Sequence, residues 1–327
     1  VRNPLQEILD RQGTVVLDGG LATCLEALGH DLDADLWSAE ALLDDPAALH
    51  RVHTDFLRAG SDGITTGTYQ ATIRAFEARG LTHDRALRVL QGAVDLGVAA
   101  RDTFWDDLEN RHRRVRPFVA ASVGPYGAYL ADGSEYVGQY GLSDQELMDF
   151  HAERWRILAD SAADILACET IPSLQEAGVL LELLRRTPDR WAWMSFTCRD
   201  EVRLSDGSPL AAAAEICDAV AGVAAVGVNC TRPEYVSALI SAVRGVTGKP
   251  IIVYPNAGGG YDAERKAWEG EPPRHDWPGL AAEWRELGAS IIGGCCRVRP
   301  VDISSIRDRL LPEDREDRGA VHHAVRP

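Results

Sequence analysis

Gly293-Gly294-Cys295-Cys296 follows the apolar run Ala289-Ser290-Ile291-Ile292. Two vicinal cysteines after two glycines read as metal ligands presented at a strand end. A third cysteine, Cys230, ends the similar run Ala224-Ala225-Val226-Gly227-Val228-Asn229. Three thiolates from two strand ends would hold one zinc ion with its fourth position open, as catalytic zinc sites do. That chemistry suits a thiol substrate. The pair is not the C-x2-C knuckle of structural zinc sites, and buried free cysteine is common. Ligand and small buried hydrophobe therefore stand side by side as local readings. The two glycines would let backbone and metal approach closely. Cys24, Cys198 and Cys217 have no comparable context and read as buried hydrophobes. Cys168 should face away from the barrel centre, because its neighbour Glu169 ends the strand and side chains alternate.

Asp18 and Glu169 are the second constellation, each at the end of an apolar run. Such carboxylates could serve as acid and base, bind a metal, grip an ammonium group, cap a helix or pair with an arginine. A zinc ion held by three thiolates does not need them; a substrate α-amino group does. Gly19-Gly20 lacks the G-x-G-x-x-G pattern of a dinucleotide loop, and its backbone N–H groups could bind a carboxylate at a helix start. Gly258-Gly259-Gly260 reads as loop flexibility. The stretch Gly124 to Tyr136 reads as a long glycine-rich loop carrying Tyr126, Tyr129, Glu135 and Tyr136, with Tyr140 beyond. Tyrosine faces and a carboxylate suit a cationic ligand; the alternative is a loop packed by its own aromatics.

The elements that must position these groups alternate short apolar runs with longer amphipathic ones. Strands are expected at 15–18, 63–66, 118–122, 165–169, 191–197, 224–230, 251–254 and 290–294. Helices are expected at 46–59, 83–105, 144–159, 174–186, 209–221, 233–243, 280–287 and 301–310. Asp45 and Ser143 read as N-caps, and Pro46 as a first helical residue. Runs apolar on both faces are parallel strands covered by helices. Eight such units predict an α/β fold, a closed (β/α)8 TIM barrel, as a single domain over residues 1–311. Barrel active sites lie at the C-terminal strand ends. Here these carry Asp18, Thr66, Ser122, Glu169, Thr197, Cys230, Asn256 and Cys295-Cys296. Residues 312–327 read as a charged, mobile tail in which His322 and His323 are solvated.

The net charge of −16 disfavours nucleic acid and anionic membrane as partners. Small-molecule substrates fit better. No apolar stretch reaches the roughly 18 residues of a membrane span, and the first residues lack a signal-peptide pattern. Seven cysteines are an odd number and a poor disulfide framework, so a cytoplasmic location is expected.

The chain resembles the homocysteine S-methyltransferase family. The resemblance rests on 17–23 (Leu-Asp-Gly-Gly-Leu-Ala-Thr), Thr66 to Gln70, 122–127 (Ser-Val-Gly-Pro-Tyr-Gly) and Ala167-Cys168-Glu169-Thr170. Gly227-Val228-Asn229-Cys230, Tyr254-Pro255-Asn256 and Gly293-Gly294-Cys295-Cys296 complete it. Ala257, where a serine is expected, departs from the pattern. The resemblance implies a (β/α)8 barrel with Zn2+ on Cys230, Cys295 and Cys296. It implies that Asp18 and Glu169 bind homocysteine, with Gly19, Gly20, Thr66 and Asn229 lining its site. The run Gly124 to Tyr136 most resembles the S-methylmethionine-using branch. The implied reaction is attack of the zinc-bound homocysteine thiolate on the methyl group of a sulfonium, giving methionine and a neutral thioether. Tyr126, Tyr129 and Glu135 would receive the sulfonium. S-adenosylmethionine or betaine as donor, selenocysteine as acceptor, a non-catalytic zinc- or thiol-binding barrel and a zinc hydrolase are the alternatives.

Overall fold

The computed structural model describes residues 2–30, 41–259, 261–262, 267–268, 270–271 and 273–312. The tail expected from 312, with His322 and His323, lies outside these residues except for Pro312, as does Gly260. In chain order the elements are α1 (Pro4–Gln12), β1 (Val15–Val16), α2 (Leu21–Ala27), α3 (Ala41–Asp44), α4 (Pro46–Ala59), β2 (Gly63–Thr65), α5 (Ile73–Ala78) and α6 (His83–Asp106). Next come β3 (Phe118–Val123), α7 (Tyr126–Leu130), α8 (Asp144–Ala159), β4 (Ile165–Ile171), α9 (Leu174–Arg185), β5 (Ala192–Phe196), α10 (Leu210–Asp218) and β6 (Val223–Asn229). Then follow α11 (Pro233–Arg244), β7 (Ile251–Tyr254), β8 (Tyr261–Asp262), β9 (Ala267–Trp268), α12 (Trp277–Leu287), β10 (Ala289–Ile292) and α13 (Pro300–Leu310). β8 and β9 pair antiparallel; the other eight strands make one parallel sheet ordered β1-β10-β7-β6-β5-β4-β3-β2. Helices lie between them, so the expected single-domain (β/α)8 barrel is present, with element ends shifted by a few residues.

Side-chain alternation sorts the core into two layers. Val15, Leu17, Phe118, Ala120, Ile165, Ala167, Trp193, Ile252 and Ile291 fill the barrel. Val16, Val119, Ala121, Leu166, Cys168, Met194, Val253 and Ile292 pack outward with the helices. Cys168 thus faces away from the centre, as expected. The same two-residue step carries four of these interior columns upward to a polar group: Ala120 to Ser122, Ala167 to Glu169, Trp193 to Ser195, and Ile252 to Tyr254. The barrel is apolar below and polar at its mouth.

Helix ends follow local chemistry. Asp45 caps α4 through the Ala48 amide at 3.1 Å, and Ser143 forms a capping box with Glu146 on α8. Helix α1 was not expected from the apolar pattern, yet its marks are present: Asn3 caps it, Pro4 opens it and Gly13 closes it at φ 70°. Its Leu5 and Ile8 plug the floor of the barrel. No helix among the described residues is long and apolar enough to cross a membrane.

β1 and β2 stand at opposite ends of the strand order, with no ladder between them. Two carboxylates bridge that seam. Asp62 accepts from the Val16 amide at 3.0 Å while its own amide donates to Val16 O at 2.6 Å. Its side chain also accepts from Gln12 Nε2 at 2.9 Å and Arg307 Nη1 at 3.0 Å, with Arg114 Nη2 at 3.9 Å. Higher up, Asp18 Oδ2 accepts from the Thr65 amide at 2.7 Å. Asp62 is fully buried, so Asp62→Ala leaves the Val16 amide without its acceptor and takes the buried counter-charge from Arg307 and Arg114, which keep only main-chain carbonyls. The expected cost is about 3 kcal/mol, read as a lower denaturation midpoint; an unchanged midpoint would refute the seam role.

Candidate metal centre and active-site mouth

The three cysteines converge as expected. Cys230 Sγ lies 3.7 Å from Cys296 Sγ, Cys296 Sγ lies 4.0 Å from Cys295 Sγ, and all three sulfurs fall within 4.8 Å of one another. A disulfide would need about 2.05 Å. Three thiolates on one tetrahedral ion with bonds of about 2.3 Å would stand about 3.8 Å apart. The donor set and its spacing therefore fit a thiophilic divalent metal. As the sulfurs stand, the Cys295 and Cys296 thiols donate toward Cys230 and hold it well below the usual thiol range. Cys295 is held up in turn by the Cys230 sulfur. Tyr136 OH also approaches Cys230 Sγ, at 3.4 Å.

Main-chain geometry aims these groups. Cys230 has φ 45°, Thr170 behind Glu169 has φ 58°, and Arg297 behind Cys296 has φ 68°. Left-handed backbone at residues other than glycine is costly and tends to mark functional turns. The Gly293-Gly294 pair answers to close packing against other segments of the chain. A Cβ at Gly293 would stand 2.6 Å from Leu17 Cβ, and one at Gly294 2.2 Å from Val298 Cγ1. Gly19 and Gly20 are equally confined, by Val298 O and Cys295 O. The Gly20 amide is already used, donating to Val298 O at 2.9 Å. Gly20 instead opens α2, whose first residues line the same cavity.

Asp18 and Glu169 meet at the mouth. Asp18 also accepts from Thr65 Oγ1 at 3.1 Å. Burial pushes its carboxyl up to about 8, opposed by the Thr65 amide. Glu169 receives two hydroxyl donors, Ser122 Oγ and, at 3.1 Å, Tyr254 OH. Burial still raises it to about 7. Tyr254 OH is itself held by Trp193 Nε1 at 2.9 Å and Ser195 Oγ at 2.5 Å. Asn229 Oδ1 accepts from the Thr170 amide at 2.7 Å, and Asn229 Nδ2 donates to Thr170 Oγ1 at 2.8 Å, fixing the bulge behind Glu169. Thr66 Oγ1 accepts from the Ser122 amide at 3.2 Å. Thr197 and Asn256 do local work: Thr197 Oγ1 donates to Cys230 O, and Asn256 Oδ1 accepts from the Gly258 amide.

The cavity is lined by Asp18, Gly19, Gly20, Thr66, Glu135, Glu169, Asn229 and the three cysteines, but not by Tyr126 or Tyr129. This corrects the expected placement of those two tyrosines. The segment folds into α7, and both rings turn outward onto Phe150 of α8, at centroid distances of 4.9 and 5.4 Å. Tyr140 joins Tyr126 at 5.3 Å. The aromatics that do line the cavity are Tyr69, Tyr136 and Tyr254. Sequence reasoning passed over Tyr254, which follows Ile251-Ile252-Val253 and reads as core, and over Tyr69, which stands three residues beyond the expected strand end at Thr66. Glu135 returns to the mouth because Gly127 lets the main chain at 134–135 lie against α7, where a Cβ would meet Glu135 N at 2.3 Å. Behind this wall, buried Arg154 donates to the carbonyls of Tyr69 and Gly124, and buried Glu176 accepts from the Tyr126 amide at 2.6 Å and pairs with His151 at 2.8 Å.

A sequence profile described as homocysteine S-methyltransferase matches residues 15–310. Homocysteine S-methyltransferase YbgG of Bacillus subtilis is 46% identical over 93% of this chain and 96% of its own. The selenocysteine Se-methyltransferase of Brassica oleracea is 42% identical over 94% and 92%. The metallated form of the homocysteine methyltransferase MmuM from Escherichia coli superposes with a TM-score of 0.84 at 40% identity, covering 94% of this chain and all of that one. The chain belongs to the homocysteine S-methyltransferase family and is an enzyme of that family.

Proposed function

We propose that the enzyme transfers a methyl group from the sulfonium of S-methylmethionine to the thiol of homocysteine, with zinc held by Cys230, Cys295 and Cys296. The carrying observation is that three cysteine sulfurs at metal-ligand spacing share one cavity with two buried carboxylates. Zinc bound there would hold an incoming thiol as thiolate at neutral pH, where a free thiol of pKa about 8.5 is only a few per cent ionised. Asp18 and Glu169 hold the homocysteine ammonium, Glu169 being aimed by Ser122 and Tyr254. Glu135, which burial raises to about 7, supplies a counter-charge for the sulfonium beside Tyr69 and Tyr136. The new bond joins the methyl carbon to the homocysteine sulfur. The old carbon–sulfur bond breaks with its electron pair retained by the donor, which leaves as a neutral thioether. The loss of the sulfonium charge weakens the donor's attraction to Glu135 and favours release. No general base acts at the transfer step.

The resemblance of Gly124 to Tyr136 to the S-methylmethionine branch supports that donor over S-adenosylmethionine and betaine. The relative named for selenocysteine supports a second acceptor, since a selenol offers the same kind of nucleophile; methyl transfer to each acceptor, assayed separately, decides. None of the seven cysteines forms a disulfide, which suits a reducing cytoplasm.

Cys230→Ser, Cys295→Ser and Cys296→Ser should each lose zinc, measured by elemental analysis, together with methionine formation. A variant that keeps stoichiometric zinc and full turnover removes that residue from the ligand set. Both acids must be ionised to hold an ammonium. The homocysteine KM should therefore rise as pH falls below about 8 and then 7, roughly tenfold per unit for each acid protonated. A flat KM between pH 8 and about 6 contradicts the assignment. The same shifts bear on folding. Both folded-state values exceed the unfolded ones, so the stability contributed is fully present below about pH 4 and is lost as pH rises through about 7 to 8. Asp18→Asn should flatten that loss in substrate-free thermal melts and weaken homocysteine binding roughly 30-fold. Unweakened binding by this variant would rule out Asp18 as the ammonium partner.

A further inference from the structure

We infer that the cavity reads the amino group of the methyl donor through Gln70 and Glu135, so that the donor must be an amino acid carrying N–H groups. The inference rests on the methyl-transfer reading above and narrows the donor it can accept. Several buried side-chain atoms among the described residues lack a hydrogen-bond partner, and only two belong to residues lining this cavity: Gln70 Oε1 and Glu135 Oε2. Both residues are more than nine-tenths buried, at 6% and 8% exposure. Gln70 Nε2 donates to Ala128 O at 3.0 Å, which fixes the amide and leaves Oε1 as the free end. Glu135 is held by the tight packing of its backbone over Gly127.

Both atoms are acceptors, so the missing partner is a donor. The acids assigned to homocysteine differ in this respect: Asp18 already accepts from Thr65, and Glu169 from Ser122 and Tyr254. A sulfonium or quaternary ammonium has charge but no N–H. It would attract Glu135 and leave Gln70 Oε1 unpaired. A primary ammonium satisfies both. Glu135 responds to charge, whereas neutral Gln70 responds only to the hydrogen bond, so Gln70 is the discriminating residue. Sites built to bond a polar hydrogen reject ligands that lack it far more strongly than apolar pockets reject an extra group.

The test compares S-methylmethionine with 4-(dimethylsulfonio)butanoate, the same sulfonium without its amino group, on the zinc-loaded enzyme. The expected KM of the second is at least roughly 30-fold higher. In Gln70→Met the S-methylmethionine KM should rise toward that of the des-amino donor, whose own KM stays in place. Glu135→Gln, which keeps shape and an acceptor, should raise both KM values together. The homocysteine KM reports the acceptor side of the site in each variant. Equal KM values for the two donors on the wild-type enzyme overturn the inference while the sulfonium reading stands. A parallel rise of both in Gln70→Met overturns it as well. No transfer from S-methylmethionine overturns the donor reading, and this inference with it.

Discussion

Everything at the mouth depends on how closely the chain leaving β1 packs against the chain leaving β10. Gly294 N donates to Asp18 O at 3.0 Å and Gly20 N to Val298 O at 2.9 Å. The same lacing continues outward, with Cys295 N on Pro255 O, Ala257 N on Cys296 O and Cys230 N on Tyr254 O. These bonds join the ends of β1, β10, β7 and β6 into one rigid rim. Side chains at positions 19, 20, 293 or 294 would force the strands apart. The glycines matter for the metal centre because they let its platform close, and the sulfurs then converge without help from one another.

The rim holds an arrangement that folding alone would not favour. Three acidic side chains stand in one cavity, each raised by burial, and three thiols share a single site of negative charge. Such groups become favourable when cations enter. The homocysteine ammonium, and the cationic donor and divalent metal proposed above, would each offset this negative charge. The apolar layer of Phe118, Trp193 and Ile252 beneath keeps the barrel folded.

Much of this was legible from residue types at strand ends. The cysteines and both acids could be placed because a short apolar run followed by a polar group reads the same way from one unit to the next. Tyr126 and Tyr129 were misplaced because a glycine-rich stretch looks like an open loop. Their three-residue spacing is instead that of one face of a short helix, and that face was claimed by Phe150. Tyr69 and Tyr254 carry no local signal, since only the barrel's curvature turns them into the cavity. Helix α1 was missed because it is short, although Asn3, Pro4 and Gly13 mark both its ends. The partners of Asp62 lie as far along the chain as Arg307, and spacing cannot reveal them.

The gap between β1 and β2 has a mechanical meaning. The sheet is a split ring, pinned at its base by Asp62 and near its mouth by Asp18, where other neighbouring strands are joined by ladders. A split ring yields first at the split. The upper pin is also a group assigned to grip the substrate, so a load on Asp18 from the ligand side is a load on the hoop itself. On that assignment, occupancy of the mouth and the upper circumference of the barrel share one carboxylate.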